Sequence, residues 1–282
     1  MRVQSALSVL DSFFVVKSKK GGKVLNSIFK HTENNGEVII TGLQEGLATT
    51  SIVIPETIDG MPVIEIGPKA FQSTSITNIK IGENIRGIGE KAFYMCNKLR
   101  SVTWSHKCDV IPVGCFFGCS NLMQFDFSGI KKIGGRAFYE SGLQEVCLTG
   151  NTEVVSKKAF SCCKILRTVI WNCKCNVIPV ECFVRCSNLT KFDFSSVKKI
   201  EAYAFWRSGL TSVTLSKKTA VDQNCFACCN DLEKIEWLSD RNIEKTIFAE
   251  CKNIKEIFIS DSVMDIAVDA FVSSPNAEIT FV

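Results

Sequence analysis

The chain has little of what enzymes and metal sites are built from. Histidine occurs twice in 282 residues, at His31 and His106. A nucleophile–base pair therefore has few possible builders, and neither histidine stands beside a cysteine that the rest of the pattern leaves unexplained. No phosphate loop, Gly-x-Ser-x-Gly or His-Glu-x-x-His occurs. Asp and Glu are scattered at positions expected to face solvent. The expectation is a non-enzymatic chain with no catalytic residue, no cofactor and no metal.

Long apolar runs are also missing. No stretch approaches the roughly 20 apolar residues that a membrane helix needs, so no integral membrane segment is expected. The run from Ala6 to Val16 is interrupted by Asp11 and follows a single Arg2. It resembles a secretory leader only in part, and otherwise reads as a strand or helix covering one end of the domain. Charge of one sign is lacking too, with 33 Lys and Arg against 29 Asp and Glu and a net charge of +4. Lysine pairs at 131–132, 157–158, 198–199 and 217–218 are not interleaved with aromatics expected at the surface. Nucleic acid is therefore not an expected partner, while a weak anionic glycan or lipid contact is compatible.

What the chain has in quantity is phenylalanine (20) and cysteine (15). The phenylalanines set a period. Phe71, Phe93, Phe116, Phe138, Phe160, Phe183, Phe205, Phe226, Phe248 and Phe271 follow one another at 21 to 23 residues. Five residues before each stands Ile or Val, from Ile66 to Ile266, and Ala or Cys immediately precedes every anchor except Phe248. Three residues after comes Cys96, Cys119, Cys163, Cys186, Cys229 or Cys251, replaced by Thr74, Ser141, Ser208 and Ser274 in the other four coils. A segment such as Leu99-x-x-Val102-x-Trp104 closes the unit, with the alternation of a half-buried strand. What remains has no room for a full helix, so a tight turn or a 3₁₀ turn is expected.

One strand and one turn cannot bury an apolar face alone, but stacked coils can. About ten coils at roughly 4.8 Å each give a body on the order of 50 Å long. A three-coil period is superimposed. Cys108-Asp-Val-Ile-Pro-Val-Gly-Cys-Phe116 returns 67 residues later as Cys175-Asn-Val-Ile-Pro-Val-Glu-Cys-Phe183. Residues 1–50 fall outside the period and read as an N-terminal cap region, with the solenoid over 51–282.

The repeat phase also accounts for most cysteines. The six after the phenylalanine, Cys115, Cys182 and Cys225 before it, and Cys108 and Cys175 eight residues ahead are in core phase, as small buried hydrophobes. Cys147, Cys162, Cys173 and Cys228 are outside it. Cys225-x-x-Cys228 is a weak zinc signal, because a structural site needs four ligands around one ion. Neighbouring ladder cysteines such as Cys96 and Cys119 are near enough for a disulfide, although inward-pointing thiols are expected to stay reduced.

The pattern Ile88-x-x-x-Ala92-Phe93-x-x-Cys96-x-x-Leu99-x-x-Val102, with the lead-in Ile52 to Phe71, resembles the BspA-type leucine-rich repeats of surface proteins. The resemblance runs from about residue 36 to the end. It implies a β-rich leucine-rich-repeat solenoid of about ten stacked coils, one short strand per coil plus turns or 3₁₀ segments. It also implies a surface or secreted protein that adheres to host matrix proteins or to other cells. The outward positions of the strands are Ser101, Thr103, Gln124, Asp126, Glu145, Thr168, Ile170, Lys191, Asp193 and Thr214, expected to form a polar, nearly flat face for a protein or glycan partner. The alternative is an intracellular, cytoplasmic scaffold of the same architecture. Composition says nothing of oligomeric state.

Overall fold

Because each coil is short, it folds into extended pieces and turns, and the described residues of the computed structural model, 28–46 and 50–282, contain no α-helix. The apolar run Ala6–Val16 and most of the 1–50 region lie outside the described residues.

The expected strand forms the main ladder, and it is parallel. Ser51–Val53, Asn78–Lys80 and Ser101–Thr103 make one sheet. Glu145–Leu148 pairs with Thr168–Trp171, and Ser212–Leu215, Lys234–Trp237, Glu256–Ile259 and Glu278–Phe281 make a third sheet. Two coils pass the same position without a strand, at Phe125–Phe127 and Phe192–Phe194, giving about eleven turns in all.

Each coil also carries a second, two-residue strand, at the aliphatic residue five before the phenylalanine. Examples are Val110–Ile111, Lys132–Ile133 and Val154–Val155, in parallel register. Ile243 and Ile266 continue this row as a single bridge. At its start the hairpin Phe29–Asn34 with Glu37–Leu43 joins it, Glu37–Leu43 pairing parallel with Met61–Ile66.

The phenylalanine segment itself is a third ladder, built of turns. Every second N–H donates along the stack: Phe93 to Cys115 O at 3.0 Å and Met95 to Phe117 O at 2.7 Å. The alternate N–H groups close local turns, as Tyr94 does to Lys91 O at 3.0 Å. This alternation requires positive φ two residues before and after the ring, which Lys91 (58°) and Met95 (58°) adopt although they are not glycine. A left-handed residue costs on the order of 1–2 kcal/mol, and the cross-coil bonds hold it there.

The core is a single column. The ten anchor rings stack at centroid distances between 5.2 and 5.7 Å with interplanar angles from 5° to 26°. Buried thiols close over it. Cys96 Sγ donates to Phe71 O at 2.9 Å, Cys119 to Phe93 O at 3.1 Å and Cys163 to Phe138 O at 3.1 Å. In the coils without a cysteine, Thr74 and Ser141 take the place and lie 3.5 and 3.3 Å from the sulfur of the next coil.

The three-coil period has a structural content. Trp104, Trp171 and Trp237 each donate Nε1–H to a carbonyl four residues on, at 2.7, 2.8 and 2.9 Å, closing the same loop. The coils after the first two of these carry the Phe-x-Phe segments, whose rings pack edge-on or tilted against the column, as Phe125 does on Phe138 at 5.3 Å. Phe125 and Phe192 stand where the other coils carry Val or Ile, and in these coils the strand is lost. The following coils, one residue shorter, then approach so closely that a Cβ on Gly142 would meet Ser120 O at 2.1 Å, and one on Gly209 would meet Ser187 O at 2.0 Å. Gly142→Ala or Gly209→Ala should therefore destabilise by about 1–3 kcal/mol through overpacking. Gly150→Ala, where nothing lies within 4 Å, should be neutral. Chemical denaturation of the three variants checks this, and equal midpoints would refute the close-approach account.

Candidate functional site

The strand face carries all ten expected surface residues, and every one is exposed. Register places them in rows: Asn78 beside Ser101 and Lys80 beside Thr103, Glu145 beside Thr168 and Cys147 beside Ile170. Ile170 is 43% exposed, an apolar point in a polar field. The face is not the continuous sheet the alternation suggests, because the ladder breaks at the two Phe-x-Phe coils. These are the coils of Gln124, Asp126, Lys191 and Asp193.

Three of the ten side chains are already engaged. Asp126 Oδ1 accepts the Ser128 N–H at 2.9 Å, and Asp193 Oδ1 accepts that of Ser195 at 2.9 Å, each closing a turn where the strand is lost. The Ser195 bonds hold the Asp193 carboxyl below its ordinary value. Thr214 donates to Glu236 at 3.0 Å, and Lys234 pairs with the same carboxylate at 2.9 Å, which keeps Glu236 below the usual carboxylate range. Ser101, Thr103, Gln124, Glu145, Thr168, Ile170 and Lys191 are left facing solvent.

The lysine pairs are partly neutralised across coils. Lys131 meets Asp109 at 2.8 Å, Lys158 meets Glu181 at 3.1 Å and Lys199 meets Asp222 at 3.1 Å. No three His, Cys, Asp or Glu side chains converge on a metal-sized site among the described residues, and no helix there is long and apolar enough to cross a membrane.

All fifteen thiols are unpaired, eleven of them buried. Two depart from the expected phase. Cys175 is half-buried, turned to donate to Val177 O at 3.1 Å within its own loop. Cys162 is buried at 7% exposure, beneath Tyr139 on a face that repeat phase alone marks as outward. Burial pushes Cys115, Cys182, Cys186 and Cys225 well above the ordinary thiol value, and Cys163 up to about 12. A thiol raised in the folded state stabilises it fully below the unfolded value near 9.0 and loses that contribution as pH climbs through the folded value. Urea midpoints should thus hold at neutral pH and fall from about pH 9 upward. Iodoacetamide should label Cys147, Cys173, Cys175 and Cys228 ahead of the eleven buried thiols. A flat alkaline profile together with uniform labelling would refute the burial account.

A second surface escaped the strand pattern. The residue after each anchor phenylalanine sits on the turn ladder and points away from the column. Tyr94, Phe117 and Tyr139 stack there at 4.7 Å per step, then Ser161 and Val184 interrupt the row before Trp206 resumes it. The signal was present as an aromatic doublet, Phe93-Tyr94, Phe116-Phe117, Phe138-Tyr139 and Phe205-Trp206. A position next to a core residue in a turn cannot be assigned to either side by strand alternation.

Comparison with known proteins fits this architecture. The model of the BspA type leucine rich repeat region, in six copies, matches residues 44–167, 128–233 and 153–278. The chain belongs to that family. A leucine-rich repeat protein from Bacteroides ovatus matches at 22% identity and a TM-score of 0.64, over 90% of this chain and 77% of that one. One from Eubacterium ventriosum matches at 14% and 0.51, over 91% and 83%. The pneumococcal vaccine antigen PcpA matches at 14% and 0.51, over 82% and 74%. At these identities the likeness is one of fold. No curated protein matches the sequence.

Proposed function

We propose that the chain is a non-enzymatic binding or adhesion module, surface-exposed or secreted, that recognises host or cell-surface partners through its strand face. The observation that carries this reading is the ordered set of solvent-facing side chains at Ser101, Thr103, Gln124, Glu145, Thr168, Ile170 and Lys191. They are fixed to a backbone whose coils are already bonded to one another, so little conformational freedom is lost when a partner docks. Protein is the partner class that the family favours, and glycan is the alternative on a polar face. Asp126, Asp193 and Thr214 contribute by shaping the face, since their polar atoms are occupied.

A specific observation favours a second reading, an intracellular scaffold. The ladder cysteines are used as thiol donors, as Cys186 is to Phe160 O at 3.2 Å and Cys251 to Phe226 O at 3.1 Å, and a disulfide would remove those bonds. Thiols in that role suit a reducing compartment. Surface biotinylation of intact cells separates the readings, and full protection from label would sink the surface one.

Beads coated with the chain should adhere to matrix-coated surfaces or to intact cells. The triple variant Glu145→Lys, Ile170→Asp, Lys191→Glu should reduce that adhesion at least tenfold, with its melting temperature within a few degrees of the parent. Adhesion unchanged by the triple variant would remove the strand face from the proposal.

A further inference from the structure

The aromatic row on the turn face is interrupted between Tyr139 and Trp206, and the break is shaped. Two coils that place Ser161 and Val184 where their neighbours place rings leave a notch of about 410 Å³ between Tyr139 and Trp206. That volume lies within the range of small-ligand sites. One face of the Tyr139 ring stacks on Phe117, and with no ring at Ser161 the Tyr139 side chain reaches Cys162 and lines the notch. At the far end two guanidinium groups lie over the Trp206 ring, Arg185 at 5.4 Å and Arg207 at 4.4 Å from its centre. Stacking on an indole fixes a guanidinium while leaving its N–H edge able to donate.

The charges in the notch do not cancel. Lys158 is matched by Glu181 at 3.1 Å. Arg185 and Arg207 make no ion pair with another described residue, and Glu140, whose charge is felt at Tyr139, makes none either, so the three cations Lys158, Arg185 and Arg207 stand against the two carboxylates Glu181 and Glu140. The excess is positive and sits on arginines oriented by Trp206. An oriented, unpaired guanidinium is a bidentate receptor for a planar carboxylate. The tyrosine in the lining asks for something different, a ligand with a flat C–H surface of its own. Tyr139 and Arg185 are two coil steps apart, about 10 Å. That spacing admits one sugar ring stacked on the tyrosine with a carboxylate reaching the arginine.

We propose that the notch binds a carboxylate-bearing sugar residue of an acidic glycan, its ring against Tyr139 and its carboxylate on Arg185. A phosphate or an acidic side chain would satisfy Arg185 but leave the tyrosine face without a partner. The site lies on the turn ladder, and it stands or falls independently of the strand-face reading.

The test is a titration followed by tryptophan fluorescence at low ionic strength, since the reporter Trp206 carries Arg185 on its face. The probes are trigalacturonate, neutral maltotriose, hexaglutamate and inorganic phosphate. Saturable binding of trigalacturonate is expected, with maltotriose inert and hexaglutamate and phosphate at least tenfold weaker. Arg185→Ala and Tyr139→Ala should each weaken trigalacturonate at least tenfold. Ser161→Phe and Val184→Tyr, which extend the aromatic row into the gap, should abolish binding; because they add a ring instead of removing one, they test the notch even if Tyr139→Ala unfolds. No saturable binding of trigalacturonate would overturn the proposal. So would equal binding of hexaglutamate or phosphate, or binding that survives the filled-notch variants at parental melting temperature, since either would mark a plain anion contact elsewhere on the basic surface.

Discussion

The spacing between stacked phenylalanine rings and the spacing between hydrogen-bonded strands must agree, and the rest of the molecule follows from that agreement. Rings 5.2 to 5.7 Å apart, centre to centre, lie slightly offset at the separation that parallel strands impose. Each coil can then satisfy its backbone on its neighbours at three places while its ring completes the column. Loss of one ring would open a cavity bordered by both neighbours, a change of about 3–5 kcal/mol in a core of this kind. Because each coil touches only the next, such damage stays local in space yet weakens the whole stack.

The cysteine content follows from the same geometry. Beside the ring the coil needs a residue that is small, apolar and able to satisfy the phenylalanine carbonyl of the preceding coil. A thiol does this; where a hydroxyl replaces it, Thr74 bonds its own Phe71 O, Ser141 and Ser208 lie against the sulfur of the next coil, and Ser274 bonds Cys251 O. The residue type that most suggested chemistry is therefore part of the packing. Its burial and raised proton affinity make these thiols poor nucleophiles and poor metal ligands.

Regularity also decides where recognition can occur. A perfectly repeated solenoid would present identical rows, so the informative places are those where a row is broken. On the strand face the Phe-x-Phe coils interrupt the ladder and commit Asp126 and Asp193 to turns. On the turn face small residues interrupt the aromatic row and open a walled notch. Both departures accompany a change of side-chain volume at one or two positions.

The sequence by itself determined the period, the inward and outward alternation of the strand residues and the phase of most cysteines. These depend on spacing along the chain, and a parallel stack converts spacing directly into position. All ten strand-face residues were legible for that reason, from Ser101 to Thr214. The tertiary structure alone decided the rest. The second strand at the Ile66-to-Ile266 row is too short to leave an alternation, and the break in the ladder at Phe125 and Phe192 shows only in the pairing of neighbouring coils. The burial of Cys162 and the notch between Tyr139 and Trp206 depend on side chains 22 to 67 residues apart that meet only when coils are laid side by side. Where a residue points can be read from period; what stands opposite it requires the stack.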